Sequence, residues 1–255
     1  MKTLVIIPSY NEAENIEQLV CSIHLLNTRE ISVLIVDDSS PDGTGDIADH
    51  LATRFSGKVF VFHRPQKSGL GSAYRDGFRF AVENGFEAVC EMDADGSHDP
   101  IQLMDLIAEI ERGADVAIGS RRIPGGKIVG WGPHRHLMSR GAMLVCRFVL
   151  GLRTHDVTSG FRCYRLKVIS DLLRISIQSD GYAFQEETLT YCEELGLVVK
   201  EIPIVFRDRV RGRSKLTWGD VGEFFTMMWS LRRKRTNRLS IQQKEIENGK
   251  VRMGL

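Results

Sequence analysis

The chain has 255 residues, 42% of them apolar and 26% charged, proportions that exclude a disordered, collagenous or heptad-repeat protein. A chain of this length buries a full core unaided, and its five cysteines, with no CxxC pair, argue against a zinc ribbon or disulfide scaffold and fit a reducing cytosol. The net charge of +1 conceals a gradient, with −11 over residues 1–111, +8 over 112–165 and +4 over 166–255, so one surface suits cations and another suits anions.

In chain order, residues 3–8 (Thr-Leu-Val-Ile-Ile-Pro) form a short apolar run closed by proline, the pattern of a buried parallel strand. Residues 12–26 repeat apolar side chains at Ile16, Leu19, Val20, Ile23 and Leu26, which predicts a helix. Residues 32–37 read as a second buried strand running into the turn Asp37-Asp38-Ser-Ser-Pro-Asp-Gly. Helix 45–55, strand 58–63, helix 72–84, strand 88–92, helix 101–112 and strand 115–119 continue the alternation. Such a βαβ series predicts an α/β fold, a mostly parallel sheet with helices on both faces.

After residue 120 the alternation breaks. The stretch 121–131 is glycine-rich and reads as a loop, 134–150 is apolar with Arg135, Arg140 and Arg147 interspersed, 184–195 is helical and 198–206 is a strand. Residues 217–235 predict an amphipathic helix with Trp218, Phe224, Phe225, Met228 and Trp229, ending in Arg232-Arg-Lys-Arg235; residues 236–255 read as a tail. The N-terminus turns polar too early for a signal peptide, and no uncharged apolar run approaches the ~18–20 residues of a spanning helix. The expectation is a soluble or peripheral protein.

In open parallel sheets ligands bind beyond the carboxyl ends of the strands. Those ends here carry Pro8-Ser-Tyr-Asn-Glu12, Asp37-Asp38 and Asp93-Ala-Asp95. Helix capping accounts for Ser9, Asp42 or Asp99 but poorly for two separate acidic pairs. Asp93 and Asp95 supply hard oxygen ligands of the kind that Mg²⁺ or Mn²⁺ takes together with substrate phosphates, and Ser97 or His98 could complete the shell. Gly69-Leu-Gly71 lacks the third glycine of a dinucleotide fingerprint and follows the third strand, which excludes a dehydrogenase. Two readings of these glycines stand: close approach of backbone to a sugar or phosphate, or a helix N-terminus. The basic residues Arg121, Arg122, Arg135, Arg140, Arg162 and Arg165, with Arg207, Arg209, Arg211, Arg213 and Lys215 at alternate positions, require a polyanion or a solvated face. No nucleic-acid recognition motif accompanies them, and a phosphorylated lipid or nucleotide fits at least as well.

These residues carry a resemblance. Pro8-Ser-Tyr-Asn-Glu12, Val36-Asp-Asp38, Gly69-Leu-Gly71, Met92-Asp-Ala-Asp95 and Gly119-Ser-Arg121 resemble glycosyltransferase family 2 with its GT-A fold. More narrowly, Ser139-Arg-Gly-Ala142, Thr158-Ser-Gly-Phe-Arg-Cys-Tyr-Arg165, Gly181-Tyr-Ala-Phe-Gln-Glu186, Phe206-Arg-Asp-Arg209 and Ser214-Lys-Leu216 resemble the dolichol-phosphate or polyprenol-phosphate mannose synthases, over residues 3–230. The resemblance implies one GT-A domain over 1–235 whose helix 217–235 lies near a membrane. It implies that Pro8, Tyr10, Glu12, Val36 and Asp38 hold the nucleotide, that Asp93, Ala94 and Asp95 hold the donor diphosphate and its Mg²⁺ or Mn²⁺, and that Ser97 stands near the metal. Arg121, Arg135, Arg209 and Lys215 fall where relatives engage the phosphates of donor and lipid. Gly96 departs from the family, whose members mostly carry leucine there.

The expected reaction is inverting transfer of mannose from GDP-mannose to a polyprenyl phosphate by a peripheral enzyme on a cytosolic membrane face. The partner would be the membrane surface or a small anchoring subunit, and not nucleic acid. The alternatives are a family 2 transferase using UDP-glucose or another sugar nucleotide, and a silent subunit binding nucleotide sugar or lipid. A phosphate monoester is already ionised at pH 7, so arginines that orient it replace a general base.

Overall fold

The computed structural model describes residues 1–26, 30–175, 177, 179–181, 183–208, 226 and 228–233. The first half follows the alternation: β1 (Thr3–Ser9), α1 (Ile16–Leu25), β2 (Ile31–Asp37), α2 (Thr44–Arg54), β3 (Val59–His63), α3 (Leu70–Glu83), β4 (Ala88–Glu91), a short 3₁₀ turn Pro100–Gln102, α4 (Leu103–Glu111) and β5 (Val116–Ser120). Then come β6 (Lys127–Val129), α5 (Pro133–Leu150), β7 (Arg162–Arg165), α6 (Leu166–Ile175), α7 (Phe184–Glu194), β8 (Val199–Pro203) and β9 (Val205–Arg207).

Seven strands form the main sheet in the order β3-β2-β1-β4-β7-β5-β8. Its pairings are parallel except those of β7, which runs antiparallel to both β4 and β5. Strand alternation sorts the core into two layers. Leu4, Ile6, Leu34 and Val36 face α3, α5, α6 and α7, whereas Val5, Ile7, Val33 and Ile35 face α1, α2 and α4. The result is a single α/β domain.

Chain order runs outward through β2 and β3 on one side of β1 and resumes through β4 on the other. The crevice between the carboxyl ends of β1 and β4 is therefore the topological switch point, where such sheets take ligands.

Three features depart from the sequence reading. The loop expected over 121–131 contains β6. The single strand expected over 198–206 is two, because Ile204 interrupts it: β8 joins the main sheet beside β5, and β9 pairs with β6 in a separate two-stranded sheet. Strand β7 and helix α6 have no counterpart in the sequence reading. Of the helix expected over 217–235, Thr226 and residues 228–233 are described and helical, and the rest lies outside the described residues.

Candidate active site

The rim of the crevice is built by the loops after β1, β2 and β4. The β-ladder continues past the strands, with Asp38 N donating to Ser9 O at 3.0 Å and Arg64 N to Asp37 O at 2.9 Å. The β1 and β2 loops are then tied side by side: Asn11 N donates to Ser40 Oγ, Glu12 N to Thr44 Oγ1, and Ala13 N to Asp42. Asn11 and Ser39 both hold the left-handed conformation, at φ 57° and 55°, without being glycine. Such residues are costly and recur where a loop must present its backbone in one way.

Among the residues expected to hold a nucleotide, Pro8 and Val36 are register partners on β1 and β2, and the Val36 side chain is buried in the core. Tyr10 lies beneath Lys67, whose Nζ is 4.0 Å from the ring centroid. Glu12 accepts from Asn15 Nδ2 at 2.8 Å. Asp38 is nearly buried and accepts from Arg64 Nη1 at 2.6 Å; burial raises its pKa above the usual carboxylate value, against the pull of Arg64.

Across the crevice, β4 delivers Asp93, Ala94 and Asp95. The chain turns at Gly96, whose φ of 72° suits glycine, so the turn is made without backbone strain. Asp95 Oδ1 caps that turn by accepting from Ser97 N at 3.0 Å. The Asp93 side chain is 36% exposed, with His98 Nε2 3.4 Å from its Oδ2. His98 is buried and stacks on Phe161 at 4.7 Å between ring centroids, and neither of its ring nitrogens has a hydrogen-bond partner among the described residues. The Ser97 hydroxyl is buried with no hydrogen-bond partner among the described residues. Two carboxylates and an unsatisfied hydroxyl on one turn make a hard-oxygen donor set suited to a divalent ion that takes its remaining ligands from phosphate.

The basic residues divide by burial. Arg162 is fully buried and donates to the carbonyls of Ser159, Val157 and Gln185, each at 2.8 Å. It ties the 157–159 loop to α7 and offers no surface for a polyanion. Arg121 is held by Asp156 through Nε and Nη2, both at 2.7 Å, and also reaches Thr158. Arg135 lies on Trp131, its Cζ 4.1 Å from the ring centroid, and donates through Nη1 to both carboxylate oxygens of Asp208 at 3.0 and 2.9 Å. Arg209 and Lys215 lie outside the described residues.

The glycine question resolves towards helix packing. Gly69 and Gly71 open α3, Gly71 N donates to Asp180 O at 2.9 Å, and a Cβ at either position would overlap the backbone of 179–180. Sequence reasoning missed Asp156. The available signal was its isolation: it and Asp115 are the only acids in the strongly basic stretch 112–165.

Helix α5 leaves the rim with a different surface. Only Met143, Cys146 and Leu150 are buried, while Leu137, Met138, Leu144, Val145 and Phe148 are exposed, Phe148 at 85%. The helix contains three arginines and no acidic residue. Close in sequence to the C-terminal basic run, Trp229 is 69% exposed, whereas Met228 and Leu231 pack into the core. Met228 is thus a core residue and not an outward anchor. No helix among the described residues is long and apolar enough to cross a membrane.

Residues 4–173 match the sequence family Glycosyl transferase family 2. The chain is 42% identical over 233 residues to the polyprenol monophosphomannose synthase of Mycolicibacterium smegmatis, covering 91% of this chain and 88% of that one. It is 46% identical over 225 residues to the undecaprenyl-phosphate mannosyltransferase of Micrococcus luteus, covering 88% and 90%. In fold it is similar to the glucosyl-3-phosphoglycerate synthase of Mycobacterium tuberculosis solved with Mn²⁺, UDP-glucose and phosphoglyceric acid, with TM-score 0.66, 18% identity, and coverage of 91% and 79%. With strand ends, acidic turn and near-full-length relatives in agreement, the chain belongs to glycosyltransferase family 2.

Proposed function

We propose that the protein transfers mannose from GDP-mannose to a polyprenyl phosphate, with inversion at the sugar. The observation that carries this reading is the acidic turn Asp93-Ala-Asp95 after β4, at the same sheet edge as the loops after β1 and β2, with Asp93 in the field of Arg121. The naming of relatives at 42% and 46% identity as polyprenyl-phosphate mannosyltransferases supports the acceptor and the sugar.

In this reading Pro8, Tyr10, Glu12, Val36 and Asp38 frame the nucleotide, Val36 through its backbone. Asp93, Ala94 and Asp95 meet the donor diphosphate, and Asp93, Asp95 and Ser97 hold Mg²⁺ or Mn²⁺. That ion, when bound, neutralises charge on the departing diphosphate. A phosphate oxygen of the acceptor forms the new bond to the anomeric carbon as the bond to the β-phosphate breaks on the opposite face, and GDP leaves. The nucleophile arrives ionised, so the protein's part is to orient it. Arg135 supplies a charge that reaches the acceptor, and Arg121, fixed by Asp156, forms a rigid positive wall. Arg209 and Lys215 are assigned to the same phosphates.

The exposed apolar side of α5, interleaved with arginine, is assigned to an anionic bilayer surface holding the acceptor, as interfacial helices of this composition behave. Exposed Trp229 with Arg232 and Arg233 is assigned to the same bilayer surface. Two measurements test the reading. Purified protein is given GDP-mannose, UDP-glucose and other labelled sugar nucleotides with polyprenyl phosphate, and mannosyl lipid is expected from GDP-mannose alone; Asp95→Ala should abolish transfer, with excess Mg²⁺ or Mn²⁺ unable to restore it. Sedimentation with anionic vesicles should fall with salt and with Phe148→Ser. Transfer undiminished by a chelator would overturn the metal assignment, and transfer from another donor only would overturn the sugar.

A further inference from the structure

Asp208 is presented with more care than a surface carboxylate requires. Its backbone N donates to Val129 O at 2.8 Å, extending the β6–β9 ladder by one residue. Gly130 passes so close that a Cβ there would lie 2.9 Å from Asp208 Cβ, so this approach needs glycine just past the end of β6. One residue earlier, Arg207 N donates to Ser97 O at 3.1 Å, which fastens the same strand to the turn carrying Asp93 and Asp95. The carboxylate so placed faces Arg135, both oxygens on Nη1.

We propose that Asp208 is the resident counter-anion of Arg135, its carboxylate standing in the substrate-free enzyme where the acceptor's phosphate binds, and that it is a positioning residue which yields that place on binding. The inference rests on the acceptor role given to Arg135 above. Three observations support the exchange. The side chains of Arg135 and Asp208 are 44% and 32% exposed, so water screens the pair and separating it costs little. The guanidinium lies on Trp131, which keeps it in place when its carboxylate partner leaves. Arg135 reaches Asp208 through one nitrogen, Nη1, without the two-nitrogen grip that Arg121 has on Asp156, and a phosphate dianion is the stronger partner for a guanidinium. Because the Asp208 backbone is held by the ladder, the carboxylate can turn aside by side-chain rotation while the strand stays on the Ser97 turn.

The test is steady-state kinetics with a short, water-soluble isoprenyl phosphate as acceptor, using Asp208→Asn, Arg135→Ala and the double variant. Removing a competing anion should lower the acceptor KM of Asp208→Asn roughly two- to five-fold, the range of an exposed pair, with the donor KM unchanged. In the Arg135→Ala background the same substitution should lower acceptor KM far less, since the gain comes from releasing Arg135. A purely structural role for Asp208 would instead raise KM or lower kcat in both backgrounds. If Arg135→Ala raises the acceptor KM but Asp208→Asn fails to lower it, the counter-anion proposal falls and the acceptor assignment stands. If Arg135→Ala leaves the acceptor KM unchanged, both fall.

Discussion

At the end of β5, Arg121 grips Asp156 with two side-chain nitrogens and its own backbone N, in a place where the two side chains are 9% and 0% exposed. At the start of α5, Arg135 touches Asp208 with one nitrogen, and both partners are open to water. The same two residue types thus make two different objects. Burial makes the first pair expensive to open, because either charge left alone would be unsolvated. Exposure makes the second nearly free to open, which is what a site that must accept an external anion needs. The difference shows that charge count along this basic stretch does not separate buried arginines from exposed ones; their partners and their positions in the fold do.

The largest effect should come from breaking the buried pair. Asp156→Ala strands the Arg121 guanidinium and leaves its backbone N without an acceptor, so unfolding free energy should drop by about 3–5 kcal/mol. Denaturant titration measures this, and a loss below about 1 kcal/mol would place Arg121 with the exchangeable arginines. The pair has a pH signature too. Burial alone would raise the Asp156 pKa, but the hydrogen bonds and charge of Arg121 overcome it and hold the pKa below its usual 3.8. A depressed carboxylate contributes stability above the unfolded pKa and loses it as pH falls through the folded one, so this contribution disappears only in acid.

A second, smaller effect has the opposite sign and sharpens the contrast within the buried half. Glu186 is buried on α7, and burial pushes its pKa from 4.5 to about 7, against the pull of a backbone hydrogen bond and of Arg162. A raised carboxyl is protonated more readily in the folded state, so its stability contribution is present below pH 4.5 and is lost as pH rises towards about 7. The slope over that window is on the order of 1 kcal/mol per pH unit. Glu186→Gln should flatten the decline in thermal stability between about pH 5 and about 7; an unchanged slope would assign the decline to other groups.

The part of the fold legible in the sequence was the part with local periodicity. From β1 to β5, apolar runs and helical spacing located every element to within a few residues at most ends, because each buries one face against its immediate neighbours. Helix α6 carried the same signal in Val168, Ile169 and Leu172 and could have been read from it. Strand β7 could not, because Arg162-Cys-Tyr-Arg165 begins and ends in arginine and its insertion between β4 and β5 is a tertiary event. The split of β8 from β9 had one cue, Pro203, which closes β8 and which a single strand over 198–206 overrides. At the site, the acidic strand ends were legible because strand direction alone carries them to one edge. The sorting of arginines was not, since Arg121 and Asp156 are 35 residues apart and Arg135 and Asp208 are 73 apart.

The smallest expected effect on stability belongs to the exposed pair and completes the comparison. Arg135→Ala removes a guanidinium from the face of Trp131 and from Asp208, where water already competes for both. Asp208 keeps its backbone bond to Val129, and its carboxylate is already open to water. Unfolding free energy should therefore change by about 0.5 kcal/mol or less, roughly a tenth of the cost expected at Asp156. Turnover should respond in the reverse order, with acceptor KM rising while donor KM holds, if the guanidinium serves the acceptor's phosphate as proposed. Arg135→Lys keeps the charge but loses the flat face that lies on Trp131, and should fall between the parent and the alanine variant in acceptor KM. A stability loss at Arg135 as large as at Asp156 would mean that the exposed pair is also scaffold, and the distinction between the two arginines would collapse.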